Sequence, residues 1–303
     1  MKRALPRLVS GLALALPGLA PGQVMTVQEL LALPRPAADH RVAYGDHPQQ
    51  YGELRLPAGD GPFPVAVLLH GGCWLAPYDL GHLAGLAAAL TDLGVATWSV
   101  TYRRVGDEGG GFPGTFLDVA AGFEHLGRLA LDFPVDPERA VVMGHSAGGH
   151  LALWLAGRHR LKDDSPIFTR PSLHPRGVVA LAPIGDLAAA AAGRVCGDAV
   201  SRLLGGDPAE LPERLAATSP LALLPLGVPQ HLILGELDSV VPGSLGSAWV
   251  EAAAAAGDHV AAVTVPGVGH YELVVPGSRA WPAVREVVVE LLGLPDGAPL
   301  SAP

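Results

Sequence analysis

From about Pro62 onward the sequence alternates short, wholly apolar runs with longer Ala- and Leu-rich stretches, and this alternation limits the folds open to the chain. Val65–Leu69 has no polar residue on either face and is bounded by Pro64 and by Gly71-Gly72. A run of that kind reads as a strand buried on both sides. Val95–Val100, Ala140–Met143, Val178–Ala182, His231–Leu234 and Val260–Val265 read as further strands. Between them, Leu80–Leu93, Thr115–Leu131, Ala147–Gly157, Ser244–Ala256 and Ala283–Leu292 have helical composition; in Thr115–Leu131, Phe116, Val119, Ala120, Phe123 and Leu126 recur at helical spacing. Strands alternating with helices predict an α/β fold, a mostly parallel central sheet with helices on both faces.

Ahead of this pattern, Val42–Tyr44 and Glu53–Leu56 suit an antiparallel edge hairpin. The polar, Pro-containing segment Leu161–Arg176 reads as a surface loop, and Ala188–Leu224 as a small helical cap over the carboxyl edge of the sheet. The expected organisation is a leader or signal-like segment at 1–24, an N-terminal arm and edge hairpin at 25–60, the main domain at 61–296 and a disordered tail at 297–303. Lys2, Arg3 and Arg7 precede the apolar stretch Leu8–Ala20, as in an export signal. The other reading starts the working protein at Met25 and leaves it in the cytoplasm. Leu8–Ala20 is too short for a span, and no other run suggests one.

With 303 residues, 49% of them apolar and 16% charged, the chain can bury a large core. The net charge is −9 and the Lys and Arg residues are scattered, which excludes the clustered basic surface that nucleic acid requires. Cys73 and Cys196 stand in no metal-binding or redox spacing and read as free buried thiols, with a disulfide between them as the alternative. Oligomeric state is not legible.

Gly144-His145-Ser146-Ala147-Gly148 lies between the strand Ala140–Met143 and the helical stretch Ala147–Gly157. A nucleophilic serine needs a sharp strand-to-helix turn that projects its hydroxyl into a cleft, and the flanking glycines let neighbouring backbone approach. His70-Gly71-Gly72-Cys73-Trp74 follows another strand directly. Acyl transfer needs N–H donors aimed at a developing oxyanion. Candidate donors are Gly72 or Cys73 from this turn and Ala147 after the nucleophile. His70 reads as a structural residue tying the loop. Trp74 is a candidate for the pocket or the core, and Phe112, in the glycine-rich loop Gly109–Gly114, for the pocket rim.

The base and its orienting acid are expected later in the chain, after strands of the same sheet. His270, after the strand Val260–Val265, is the candidate base, and Asp238, after His231–Leu234, the candidate acid. Glu236 is the alternative acid; Asp258 precedes a strand, and Asp186 suits a helix cap. His145 and His150 flank the nucleophile but are expected to point elsewhere.

Taken together, His70-Gly71-Gly72-Cys73-Trp74, the run from Gly144 to His150, the late Asp238 and Gly267-Val268-Gly269-His270 resemble the kynurenine formamidase and BD-FAE-like esterase branch of the α/β-hydrolases. That branch includes acetyl-xylan and feruloyl esterases and the catalytic domains of prolyl-oligopeptidase-like peptidases. The resemblance implies an α/β-hydrolase fold and a Ser146, Asp238, His270 triad with an oxyanion turn at Gly71 to Cys73. Formamidases commonly carry Tyr where this chain has Cys73. The expected activity is hydrolysis of a small-molecule carboxylic ester or arylformamide through an acyl-enzyme, with no metal or organic cofactor. Alternatives are a prolyl-oligopeptidase-like peptidase or general amidase, and, remotely, a non-catalytic binding protein on the same fold.

Overall fold

The apolar runs pair into one eight-stranded sheet in a computed structural model that describes residues 24–295. The strands are β1 (His40–Ala43), β2 (Tyr51–Arg55), β3 (Phe63–Leu69), β4 (Ala96–Val100), β5 (Val135–His145), β6 (Val178–Leu181), β7 (Gln230–Gly235) and β8 (Val260–Val265). Their order across the sheet is β1-β2-β4-β3-β5-β6-β7-β8. The hairpin β1–β2 joins the edge of β4 antiparallel, and all other pairings are parallel. At the centre, Val67 of β3 stands between Trp98 of β4 and Val142 of β5.

The helices are α1 (Val27–Ala32), α2 (Ala84–Asp92), α3 (Gly114–Glu124), α4 (Leu126–Asp132), α5 (Ala147–Gly157), α6 (Leu187–Ala192), α7 (Ala199–Leu204), α8 (Pro212–Thr218), α9 (Gly243–Ala255) and α10 (Trp281–Leu292). The paired stretches of β5 and β6 are buried on both faces, so both must be covered; α5 packs on one and α10 on the other. Every residue of α5 is buried, because the 3-10 turn Pro220–Leu223 and α3 cover the side that the sheet does not. Fully buried indoles each find an acceptor, as a polar ring edge in a core must. Trp98 donates to the Gly122 carbonyl, Trp154 to that of Ala217, and Trp249 to Gln230.

Some elements differ from expectation. The helix expected over Leu80–Leu93 opens with a 3-10 turn at Leu80–Leu83, capped by Asp79, before α2 begins. Thr115–Leu131 divides into α3 and α4 at His125. Val260–Val265 is a strand, as expected; it forms the sheet edge, and Ala261 to Thr264 are exposed. The cap region folds as α6, α7 and α8 plus the 3-10 turn Pro220–Leu223.

The N-terminal arm is not a plain lead-in to the hairpin. Thr26 and Glu29 form a reciprocal capping box that starts α1. The Met25 N–H donates to Glu272 Oε1 at 2.6 Å, which ties the arm beside the loop that follows β8. The leader expected at 1–24 lies, but for Val24, outside the described residues, as does the tail expected at 297–303. No helix among the described residues is long and apolar enough to cross a membrane.

Candidate active site

The chain passes from β3 to β4 on one side of the sheet and then crosses back to β5 on the other. The turns after β3 and β5 therefore emerge side by side at the strands' carboxyl ends, where an open α/β sheet leaves a crevice. The first is the His70–Trp74 turn, and the second carries Ser146.

Ser146 joins β5 directly to α5 with φ 57° and ψ −122°, a conformation that L-residues rarely adopt and that a tight elbow imposes. Two bonds hold it: its N–H donates to the Leu181 carbonyl at 2.8 Å, and its carbonyl accepts from His150 N–H at 3.1 Å. Gly148 lets the end of β3 approach the first turn of α5, since a Cβ there would strike the Leu69 carbonyl oxygen. In the turn after β3, Gly72, Cys73 and Trp74 take φ values of 101°, 53° and 58° in succession. Among the described residues, the N–H groups of Gly72, Cys73 and Ala147 meet no protein acceptor.

His270 lies in the loop after β8 and Asp238 in the loop after β7. His270 Nδ1 donates to Asp238 Oδ2 at 2.6 Å, and both side chains are buried. The other carboxylate oxygen accepts the N–H groups of Val240 and Val241 at 2.8 and 2.9 Å. With Nδ1–H committed to the carboxylate, the Nε2 lone pair is left for a proton. Ser146 and His270 line the same cleft, without a direct hydrogen bond between them.

That cleft has a volume of about 60 Å³. Val27, Leu30 and Leu31 of α1 form one wall; Tyr78, Val240 and Tyr271 contribute others, with Gly72, Cys73, His82 and His145 at the base. The α1 wall, Tyr78, His82 and Tyr271 were not legible as site residues. No spacing signal links residues 27–31 to a serine more than a hundred positions later.

Four buried histidines surround the turns. Burial holds His70 and His145 well below the usual imidazole range and pushes His82 and His150 down to about 4. His70 ties the loop as expected, with Nδ1 2.8 Å from the Gly71 carbonyl and its ring stacked on Tyr102. His145 does not point away: its Nε2 lies 3.0 Å from the His270 carbonyl, and the two rings are 4.5 Å apart. His150 takes the Trp74 indole N–H on Nδ1 and donates to the Thr218 carbonyl.

Three sequence-derived expectations need correction. Cys73 and Cys196 are not free thiols but a disulfide, with Cα atoms 5.7 Å apart and 123 residues between them in sequence. The bond fastens the turn after β3 to the cap between α6 and α7. Trp74 does not line the cleft: its bond to His150 draws the indole into the core, where it is fully buried. Phe112 lines a different cavity, with Arg160, Pro212 and Arg214, whose guanidinium lies 4.9 Å from the Phe112 ring.

The rival acids are engaged elsewhere. Glu236 accepts from Gly267 N–H, Asp258 from Leu226, Gly227 and Gln230, and Asp186 caps α6 through the Ala188 and Ala189 N–H groups. Among the described residues no group of three His, Cys, Asp or Glu side chains is arranged to hold a metal ion.

The BD-FAE family model matches residues 53–252, most of the sheet and both turns. An isoprenylcysteine alpha-carbonyl methylesterase of Arabidopsis thaliana is 34% identical over 113 residues, 37% of this chain and 26% of that protein. A versiconal hemiacetal acetate esterase of Dothistroma septosporum is 33% identical over 136 residues, 44% of this chain and 38% of its own. The chain thus spans about a quarter to two fifths of these curated relatives. Among solved structures, a truncated carbohydrate esterase from gut microbiota superposes with a TM-score of 0.71 at 20% identity, over 84% of this chain and 95% of that one. That likeness concerns the fold, which is an α/β-hydrolase fold. By its match over the greater part of its length, the chain belongs to the BD-FAE family.

Proposed function

We propose that this protein is a serine hydrolase that cleaves a carboxylic ester of a small molecule through an acyl-enzyme. The observation that carries the reading is the buried Asp238–His270 hydrogen bond in a cleft shared with the strained Ser146. Ser146 Oγ attacks the ester carbonyl carbon while His270 Nε2 takes its proton. Asp238 keeps His270 in the tautomer with Nδ1–H and stabilises the imidazolium that forms. The carbonyl oxygen, now an oxyanion, accepts from the Ala147 N–H and from Gly72 or Cys73. His270 then protonates the leaving alkoxide, and water attacks the acyl-enzyme by the same route in reverse.

Ester is preferred over arylformamide because both curated relatives carry ester-hydrolase names. The experiment is a substrate panel: p-nitrophenyl acetate and longer esters, feruloyl esters, N-formylkynurenine and dipeptide amides. The expected result is the highest kcat/KM on a short acyl ester. A clear preference for N-formylkynurenine or a peptide amide would overturn the ester assignment, and inactivity on the whole panel would overturn the hydrolase reading.

A further inference from the structure

The oxyanion turn is held at its root by a histidine outside the Ser146, Asp238, His270 set. The Gly71 N–H, buried beneath the cleft, donates to His82 Nε2 at 3.2 Å. Gly71 sits directly against the nucleophile: a Cβ there would lie 2.7 Å from the His145 carbonyl oxygen and 3.1 Å from Ser146 Cβ. The peptide that His82 anchors is thus the one immediately before the Gly72 and Cys73 N–H groups. Rotating that peptide would swing both donors.

His82 is itself fixed. It lies on the 3-10 turn Leu80–Leu83, whose N-terminus is capped by Asp79 Oδ1 on the Gly81 N–H at 2.8 Å. The ring meets His70 and His145 edge to face, with centroids 6.1 and 5.8 Å away. Helix α1 packs on the same turn. A buried N–H without an acceptor is costly, so the turn settles where Gly71 finds His82.

We propose that His82 is a positioning residue, which holds the Gly71–Cys73 turn in the conformation that receives the oxyanion by accepting the Gly71 N–H. The inference rests on the esterase reading of the site. A ring that merely filled space would be replaceable by any side chain of similar size. A ring needed as an acceptor at the Nε2 position is replaceable only by a side chain that puts an oxygen there. Glutamine reaches that position, and asparagine stops a bond short.

The test compares His82→Gln, His82→Asn and His82→Phe for kcat and KM on p-nitrophenyl acetate, for Tm, and for affinity toward phenylboronic acid, whose tetrahedral adduct occupies the oxyanion donors. His82→Phe and His82→Asn should lower kcat about 10- to 100-fold with KM changed little, somewhat less than the loss of a whole oxyanion donor. Boronate affinity should fall in step with kcat. His82→Gln should keep kcat within about threefold of wild type, a small free-energy change. If His82→Phe does not fold, the Gln and Asn pair decides. Equal kcat for all folded variants, or a Gln variant as slow as Asn at wild-type Tm, overturns the proposal. An inert wild-type protein overturns the esterase reading and this inference with it, whereas an active wild type with unaffected His82 variants overturns this inference alone.

Discussion

Asp238 holds His270 by one carboxylate oxygen, at 2.6 Å, while the other oxygen is fixed by two backbone N–H groups of its own loop. The carboxylate cannot turn without breaking three bonds, so the imidazole orientation is set by the loop after β7. Asp238→Asn keeps the shape but can offer Nδ1 an N–H in place of an acceptor, which favours the wrong tautomer. The expected loss in kcat is about 10³- to 10⁴-fold, with KM little changed. Steady-state kinetics on a p-nitrophenyl ester checks it, and a loss below tenfold would remove Asp238 from its proposed role.

Gly148 permits the first turn of α5 to approach the end of β3, where a Cβ would strike the Leu69 carbonyl. Gly148→Ala must push the elbow and the turn after β3 apart. The protein should lose most of its activity and about 2 kcal/mol or more of stability, as overpacking of a tight site does. Urea denaturation together with an ester assay tests both effects.

The Cys73–Cys196 bond closes a loop across 123 residues and joins the turn after β3 to the cap. Cys73→Ser with Cys196→Ser should destabilise the fold by about 2–4 kcal/mol through the freer unfolded chain. Dithiothreitol should lower the Tm of the wild type and leave that of the double variant unchanged. Equal response of both proteins would contradict the bond.

Acid should destabilise the protein through its buried histidines. The folded state holds His82 and His150 at about 4, against an ordinary value of 6.5, because burial disfavours the charged ring; His70 and His145 are shifted the same way. The unfolded chain therefore takes up protons first as pH falls. Stability from these groups is complete above about pH 6.5 and is lost progressively as pH falls from there toward 4. Urea unfolding at pH 7.5 and pH 5.0 should give a clearly smaller free energy at the lower pH. Equal values would show that the rings are solvated.

Leu30 is buried in α1 while also facing the cleft. Leu30→Ala should cost about 2–3 kcal/mol, the low end for a core leucine because the helix is short. It also widens one wall, so activity on butyryl and hexanoyl esters should rise relative to acetyl. An unchanged acyl profile would mean that α1 is structural only.

The central strands were legible because two-sided burial leaves continuous apolar runs such as Val65–Leu69. The elbow was legible because its geometry demands small residues around Ser146. The meeting of Asp238 and His270 followed from their places after successive parallel strands. What escaped was set by tertiary contact. Val260–Val265 is as apolar as a central strand, yet it is the sheet edge, and strand order is not written in composition. Trp74 faces the core because His150 lies within reach of its indole. Phe112 faces another cavity, the pairing of Cys73 with Cys196 joins positions 123 residues apart in sequence, and His82 meets Gly71 only because a 3-10 turn opens α2.

The proposed role of Ser146 is tested most directly by reaction with a fluorophosphonate probe, with the labelled residue located by mass spectrometry in wild type and in Ser146→Ala. The account predicts one adduct per chain, on Ser146, with loss of esterase activity in proportion to labelling and no adduct on the variant. A probe that labels another residue, or a Ser146→Ala variant that keeps wild-type activity, would contradict it.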